Sequence, residues 1–322
     1  MALGLGIIGT GKHGGRYLAH AADVPGVRLT AICRRDRVAG ERQADAYGCR
    51  YHAEPAALIA DAAVDVVVLV VPPTANVALA VAAARAGKHL LIEKPLAPTV
   101  AECRTIADAV GRAGVTAMVA HTLRFNAVVR ALRAALPSIG GLHAAVLSQR
   151  FEPTSLGWLD RRAEAGGGIV LHTGVHSFDL VRFLTGREAL RVSAVSTAVT
   201  TRDTEDNFTA ALEMEGALLA SISGSRATRG RSGAIELAGR EGQLVGDHLH
   251  GIAARIVGST RTELALDPPA MTVAAVLAEF ATAVAERRAP AITLADGGAS
   301  VAIAEACYRA IESRSWESIE RW

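Results

Sequence analysis

The stretch GGGIVLHTGVHSFD, residues 166–179, sets His172 and His176 four positions apart behind three consecutive glycines. Residues four apart on a helix share one face, so the two imidazoles could act together. Three chemistries fit such a pair: shared metal ligation, proton handling, or packing and capping of a buried turn. The zinc pattern H-E-x-x-H needs a glutamate that is missing here, and no further ligand cluster accompanies the pair. Histidine titrates near neutral pH, which suits it to give or take a proton.

A second constellation opens the chain. GIIGTGKHGGRY places Gly9, Gly11 and Gly14 in G-x-G-x-x-G spacing, after a β-branched run and at the start of a helical one. In that context the first glycine permits a tight turn, the second lets backbone approach a pyrophosphate, and the third lets helix and strand pack closely, with the phosphates at the positive helix end. The expectation is a dinucleotide cradle made of Gly9, Thr10, Gly11, Lys12, His13 and Gly14; the alternative is an ordinary glycine turn. An NAD site would end the second strand in an acidic residue facing the ribose. This chain reads LTAICRRDRV, with Arg34 and Arg35 in that place and Asp36 displaced beyond them. A carboxylate would repel a 2'-phosphate, whereas a guanidinium binds one through two parallel hydrogen bonds. The expected cofactor is therefore NADP(H), with NAD the alternative if both arginines are merely solvated.

These residues must be carried by two kinds of architecture. To about residue 120, apolar strand patterns at 3–8, 27–32, 65–71, 88–92 and 115–119 alternate with alanine-rich helical ones, which predicts βαβ units around a doubly wound parallel sheet. One of the helices begins near Pro98 and Thr99 and ends near Gly114. After a helix closed by Pro137, strands follow one another at LHAAVLSQR, RVSAVSTAVT, DNFTAALEME, ALLASISGS and GAIELAG, which predicts a mainly antiparallel, open sheet. A helix from about Gly167 to Leu184 interrupts them, and helices at about 271–287 and 295–313 close the chain. The expected fold is α/β, with a Rossmann domain over 1–120 and an α+β substrate and oligomerisation domain over 121–322.

Composition narrows the partners. The chain has 322 residues, 50% hydrophobic and 20% charged, with a formal net charge of +2 and no long block of like charge. That balance gives no electrostatic footprint for nucleic acid or an anionic membrane and favours a small-molecule partner. The most apolar run, Val64 to Val71, contains Asp65 and stops at Pro72, far short of a bilayer span. No basic segment or cleavage site precedes the first strand. Four scattered cysteines, Cys33, Cys49, Cys103 and Cys307, make no C-x-x-C pair. A cytoplasmic location is expected.

The segment VVPPTANVALAVAAARAGKHLLIEKPLAPTVAEC holds a Pro72–Pro73 turn, an A-G-K-H run at 86–89, and Glu93-Lys94-Pro95. With the glycine-rich motif at 166–179 and R-F-N at 124–126, it resembles the Gfo/Idh/MocA family of oxidoreductases, over essentially the whole chain. The resemblance implies that Lys94 hydrogen-bonds the reacting substrate oxygen beside the nicotinamide and that His176 is the general acid/base. It also places Pro72, Pro73, Asn76 and Glu93 at the cofactor. Hydride transfer at a carbinol carbon needs a proton moved at oxygen, and a lysine at a strand end can stabilise developing alkoxide charge. No metal is needed for that chemistry. The family often has Asp where this chain has His172, His where it has Asn76, and Thr or Ser where it has Val71. His172 is then expected as a relay to His176 or a substrate contact. Arg124, Asn126, Trp158 and Asp160 lie on segments that could rim the pocket. The family further implies a sugar, cyclitol or related polyol as substrate, and a homodimer or homotetramer formed through the outer face of the sheet. Alternatives are a noncatalytic nucleotide-sensing regulator of the same fold and a C=N reductase.

Overall fold

The computed structural model describes residues 2–269 and 271–322. The chain divides into two compact units: one runs to Thr122 and takes in Met271–Gly298, the other takes the chain from Leu123 together with Ala299–Trp322. Met271–Gly298 therefore folds with the first unit, although the sequence pattern assigned it to the second half.

The first unit contains β1 (Leu3–Ile8), α1 (Gly14–Ala21), β2 (Val27–Cys33), α2 (Arg37–Tyr47), β3 (Arg50–His52), α3 (Pro55–Ala60), β4 (Val66–Leu69), α4 (Asn76–Arg85), β5 (His89–Ile92), α5 (Val100–Ala113) and β6 (Ala117–Val119). All six strands are parallel, in the order β3-β2-β1-β4-β5-β6. The chain reverses its direction of growth between β1 and β4, the switch point where the carboxyl ends of parallel strands leave a crevice. Every residue of β4 is buried, as in a sheet covered on both faces. β3 escaped the sequence reading because three residues are too few to show a period. α5 begins on a capping box in which Thr99 and Glu102 satisfy each other's backbone, and it ends on left-handed Gly114, φ 65°.

The second unit contains α6 (Ala127–Ala135), β7 (Leu142–Arg150), α7 (Arg162–Ala165), a π-helical turn over Val170–Gly174, and α8 (Val175–Thr185). Its remaining strands are β8 (Ala189–Thr197), β9 (Asn207–Met214), β10 (Leu218–Ser225), β11 (Ser232–Gly239), β12 (Gly242–Asp247), β13 (Ile252–Val257) and β14 (Thr260–Glu263). α9 (Thr272–Ala285) belongs to the first unit and packs on α1, whereas α10 (Leu294–Ser313) starts in the first unit and leads to β15 (Glu317–Ser318). The second sheet has nine strands in the order β14-β13-β12-β11-β7-β10-β9-β8-β15. It is antiparallel except for β7 beside β10, which run parallel. Alternation with period two divides its faces: Leu147, Ile222, Leu212 and Phe208 are buried on the side that α8 covers, while Val146, Leu219 and Val195 are exposed on the other.

Candidate active site

Gly9 follows β1 with φ +96°, and a Cβ there would lie 2.1 Å from the Val70 carbonyl oxygen. A Cβ on Gly14 would lie 2.0 Å from the carbonyl oxygen of Gly9, so these two glycines are demanded by the protein's own packing. Gly11 differs. A Cβ there would meet no protein atom within 4 Å, so the bare backbone leaves open space of the kind a pyrophosphate approaches. The loop residues thus fit a dinucleotide. Lys12 and His13 are exposed beside them, and Thr10 is fully buried.

Arg34, just beyond β2, turns back onto this loop. Its Nη1 donates to the Thr10 carbonyl at 3.0 Å and to Gln43 Oε1 at 3.2 Å. Arg35 is exposed, and Asp36 serves as N-cap of α2 by accepting from the Ala39 amide at 3.1 Å. That cap explains why the carboxylate stands beyond the strand end.

Glu93 closes β5 inside the protein, 6% exposed. Its Oε1 accepts from the Tyr17 hydroxyl at 2.6 Å and from His13 Nε2 at 2.8 Å, and its Oε2 accepts from the Lys94 amide at 3.1 Å. Burial would push this carboxyl up, but the charge and hydrogen bond of His13, with Lys94 and Tyr17, more than offset it and hold it below the usual range. Burial and the same carboxylate push the Tyr17 hydroxyl well above its ordinary value. One carboxylate thereby fixes the glycine loop and the backbone of Lys94, whose side chain is half-buried. Asn76, the first residue of α4, is 1% exposed, and its Nδ2 donates to the carbonyls of Pro95 at 3.2 Å and Leu96 at 3.1 Å. Asn76, expected at the cofactor, thus holds the turn after Lys94 through Nδ2, while its buried Oδ1 has no hydrogen-bond partner among the described residues. Pro73 is buried and Pro72 half-buried, in the turn that leads from β4 into α4.

In the second unit the glycines at 166–168 let a helix start against another chain segment. A Cβ on Gly168 would fall 2.2 Å from the Glu205 carbonyl oxygen. Glu205 Oε1 accepts from the amides of Gly168 at 3.0 Å and Val170 at 3.2 Å and from the Tyr308 hydroxyl at 2.8 Å. His172 lies in the π-helical turn, 5% exposed. Because a carbonyl only accepts, its Nε2 must carry the proton it donates to Ala165 O at 2.9 Å. The edge of its ring contacts Trp158, with centroids 5.5 Å apart. His176 is the second residue of α8 and half-buried. One turn on, Asp179 is 1% exposed and takes both ends of the Arg124 guanidinium, at 2.8 and 2.5 Å.

Several residues expected at the pocket rim also have partners within the fold. Arg124 is paired with Asp179. Asn126 caps α6 through the Val128 amide at 2.9 Å and donates to the His248 carbonyl at 3.2 Å. Asp160 accepts from the amides of Arg202, Asp203 and Thr204 at 3.0 to 3.2 Å, and these donors, Asp203 foremost, hold its carboxyl below the usual range. Sequence reasoning missed Tyr17, Gln43, Glu205 and Tyr308. Only Tyr17 left a usable signal, standing four residues after His13 on the face that reaches Glu93. Among the described residues, no cluster of three or more His, Cys, Asp or Glu could hold a metal, and no helix is long and apolar enough to cross a membrane.

Comparison with known proteins places the sequence and fold among oxidoreductases. Residues 3–121 match the oxidoreductase family with an NAD-binding Rossmann fold, and residues 138–245 match the GFO/IDH/MocA C-terminal domain. The 1,5-anhydro-D-fructose reductase of Ensifer adhaerens is 32% identical over 252 residues, 74% of this chain and 75% of that one. Inositol 2-dehydrogenase 2 of Saccharopolyspora erythraea is 30% identical over 99% of this chain and 96% of its own length. The crystal structure of aldose-aldose oxidoreductase from Caulobacter crescentus, complexed with glycerol, superposes with a TM-score of 0.92 at 25% identity, covering 99% of this chain and 100% of that one.

Proposed function

The chain belongs to the Gfo/Idh/MocA family of oxidoreductases, and we propose that within it the protein uses NADP(H) to interconvert a carbinol and a carbonyl on a sugar, cyclitol or related polyol or keto compound. The observation that carries this is the Glu93 carboxylate, which binds His13 of the glycine loop and the main chain of Lys94 together. The substrate class is supported by the names of relatives that act on an anhydro-sugar and on inositol.

When bound, the nicotinamide supplies or accepts the hydride. Lys94 donates a hydrogen bond to the reacting oxygen and stabilises the alkoxide charge that develops there. In the reductive direction His176 gives that oxygen its proton; in oxidation it removes the proton. His172, whose Nε2 donates to the Ala165 carbonyl, serves as a relay to His176 or as a substrate contact. The Arg124–Asp179 pair stiffens the first turns of the same helix.

Preference for the 2'-phosphorylated nucleotide follows from Arg34. Its Nη1 is tied to the glycine loop, whereas Nε and Nη2 make no hydrogen bond within the described residues. Those two nitrogens form the fork that suits a phosphate. Fluorescence titration with NADPH and NADH tests this: wild type should bind NADPH at least about tenfold more tightly, and Arg34→Asp should erase the difference. Equal or tighter binding of NADH by wild type would reverse the cofactor assignment.

A further inference from the structure

We propose that Gln43 is a positioning residue that sets the nucleotide preference by holding the Arg34 guanidinium against the glycine loop. This rests on the assignment of Arg34 to a 2'-phosphate and names what makes Arg34 fit for it.

Gln43 lies on α2, a full strand-to-helix connection away from the loop, and both ends of its amide are used. Its Oε1 accepts from the Thr10 hydroxyl at 2.8 Å and from Arg34 Nη1 at 3.2 Å, while its Nε2 donates to the Thr10 carbonyl at 3.2 Å. That carbonyl also accepts from Arg34 Nη1 at 3.0 Å. The amide can only sit this way round, because the Thr10 carbonyl accepts and the Arg34 guanidinium donates. Thr10 has no exposed surface, so both of its hydrogen bonds to Gln43 are shielded on the loop side.

The backbone behind Arg34 is tied as well. The Tyr51 hydroxyl donates to the Arg34 carbonyl at 3.0 Å. Its ring lies where α2 has Gly40, and a Cβ on that glycine would come within 2.3 Å of it. An arginine on a free stem loses rotamer freedom when it binds a ligand, and one already held loses less. Gln43 holds Nη1 and leaves Nε and Nη2, the two nitrogens that form a fork on a phosphate. At that edge Nη2 makes a long ion pair, 4.0 Å, with Oδ2 of the exposed Asp36, whose other carboxylate oxygen caps α2.

The test is nucleotide titration of the full chain, comparing wild type, Arg34→Ala, Gln43→Ala and Gln43→Glu with NADPH and NADH. Gln43→Ala should weaken NADPH about tenfold and leave NADH within about twofold, so that NADH binding itself reports an intact loop. Gln43→Glu keeps an acceptor for Arg34 but adds negative charge beside the phosphate, and should weaken NADPH further while sparing NADH. Equal losses for both nucleotides with Gln43→Ala would make Gln43 a scaffold of the loop and overturn the proposal, as would no loss at all. If wild type prefers NADPH and Arg34→Ala abolishes that preference while Gln43→Ala keeps it, Arg34 stands and Gln43 falls. If wild type binds the two nucleotides alike, the cofactor assignment fails and takes this proposal with it.

Discussion

Glu93 meets three donors while almost fully buried, and such a group has a definite dependence on pH. Its folded pKa lies below the ordinary carboxylate value. The stabilisation it contributes is therefore complete above the unfolded carboxylate range and is lost as pH falls through the folded value. Thermal melts of wild type and Glu93→Gln should differ most near neutral pH and converge on acidification; a gap that widens toward acid would contradict this. Removing the acceptor also strands buried donors at about 1–3 kcal/mol each, so Glu93→Ala should melt several degrees lower. The sequence made Glu93, Lys94 and the glycines legible because each stands in a motif whose spacing is local. Gln43, Glu205 and Tyr308 were not legible, since their partners lie 33, 37 and 140 residues away. For His172 the spacing from His176 was plain, but the carbonyl at the end of α7 and the indole of Trp158 that meet its ring belong to short helical turns too brief to show a period.

Elements were read best where their ends carry chemistry. The Thr99 box and Gly114 bounded α5 to within a residue, because capping and left-handed backbone restrict residue type. β12 to β14 were missed, being only four to six residues long and lying toward one edge of the sheet. The parallel pairing of β7 with β10 was also missed, since alternation marks a strand but not its direction. A widened turn at Val170–Gly174 leaves no sequence period either. A buried tie between elements runs from Arg124 to Asp179, with side chains 9% and 1% exposed, joining the turn before α6 to α8. Asp179→Ala leaves a buried guanidinium unbalanced and should cost about 3–5 kcal/mol by urea unfolding. Replacing both residues by leucine should return most of that loss. A single Asp179→Ala within about 0.5 kcal/mol of wild type would show that Arg124 is solvated after all.

For the whole molecule, the partition into two units was legible as a change from alternating strands and helices to successive strands. The return of Met271–Gly298 to the first unit was not, because the apolar pattern of α9 marks a buried helix but not the α1 partner on which it packs. The uncovered face of the nine-stranded sheet, with Val146 42%, Leu219 59% and Val195 69% exposed, predicts association through that face. Light scattering should give a dimer or tetramer, and Leu219→Lys should shift it toward monomer; a monomeric wild type would remove the prediction. The central question is whether Lys94 and His176 serve hydride transfer. NADPH deuterated at the transferring carbon, incubated with a panel of keto-sugars and inososes, answers it by mass spectrometry of the products. Label should appear at the former carbonyl carbon with wild type and fall by about 100-fold or more with Lys94→Ala and with His176→Ala. Tight NADPH binding with no label in any product would contradict an oxidoreductase and point to a nucleotide-sensing protein on the same fold.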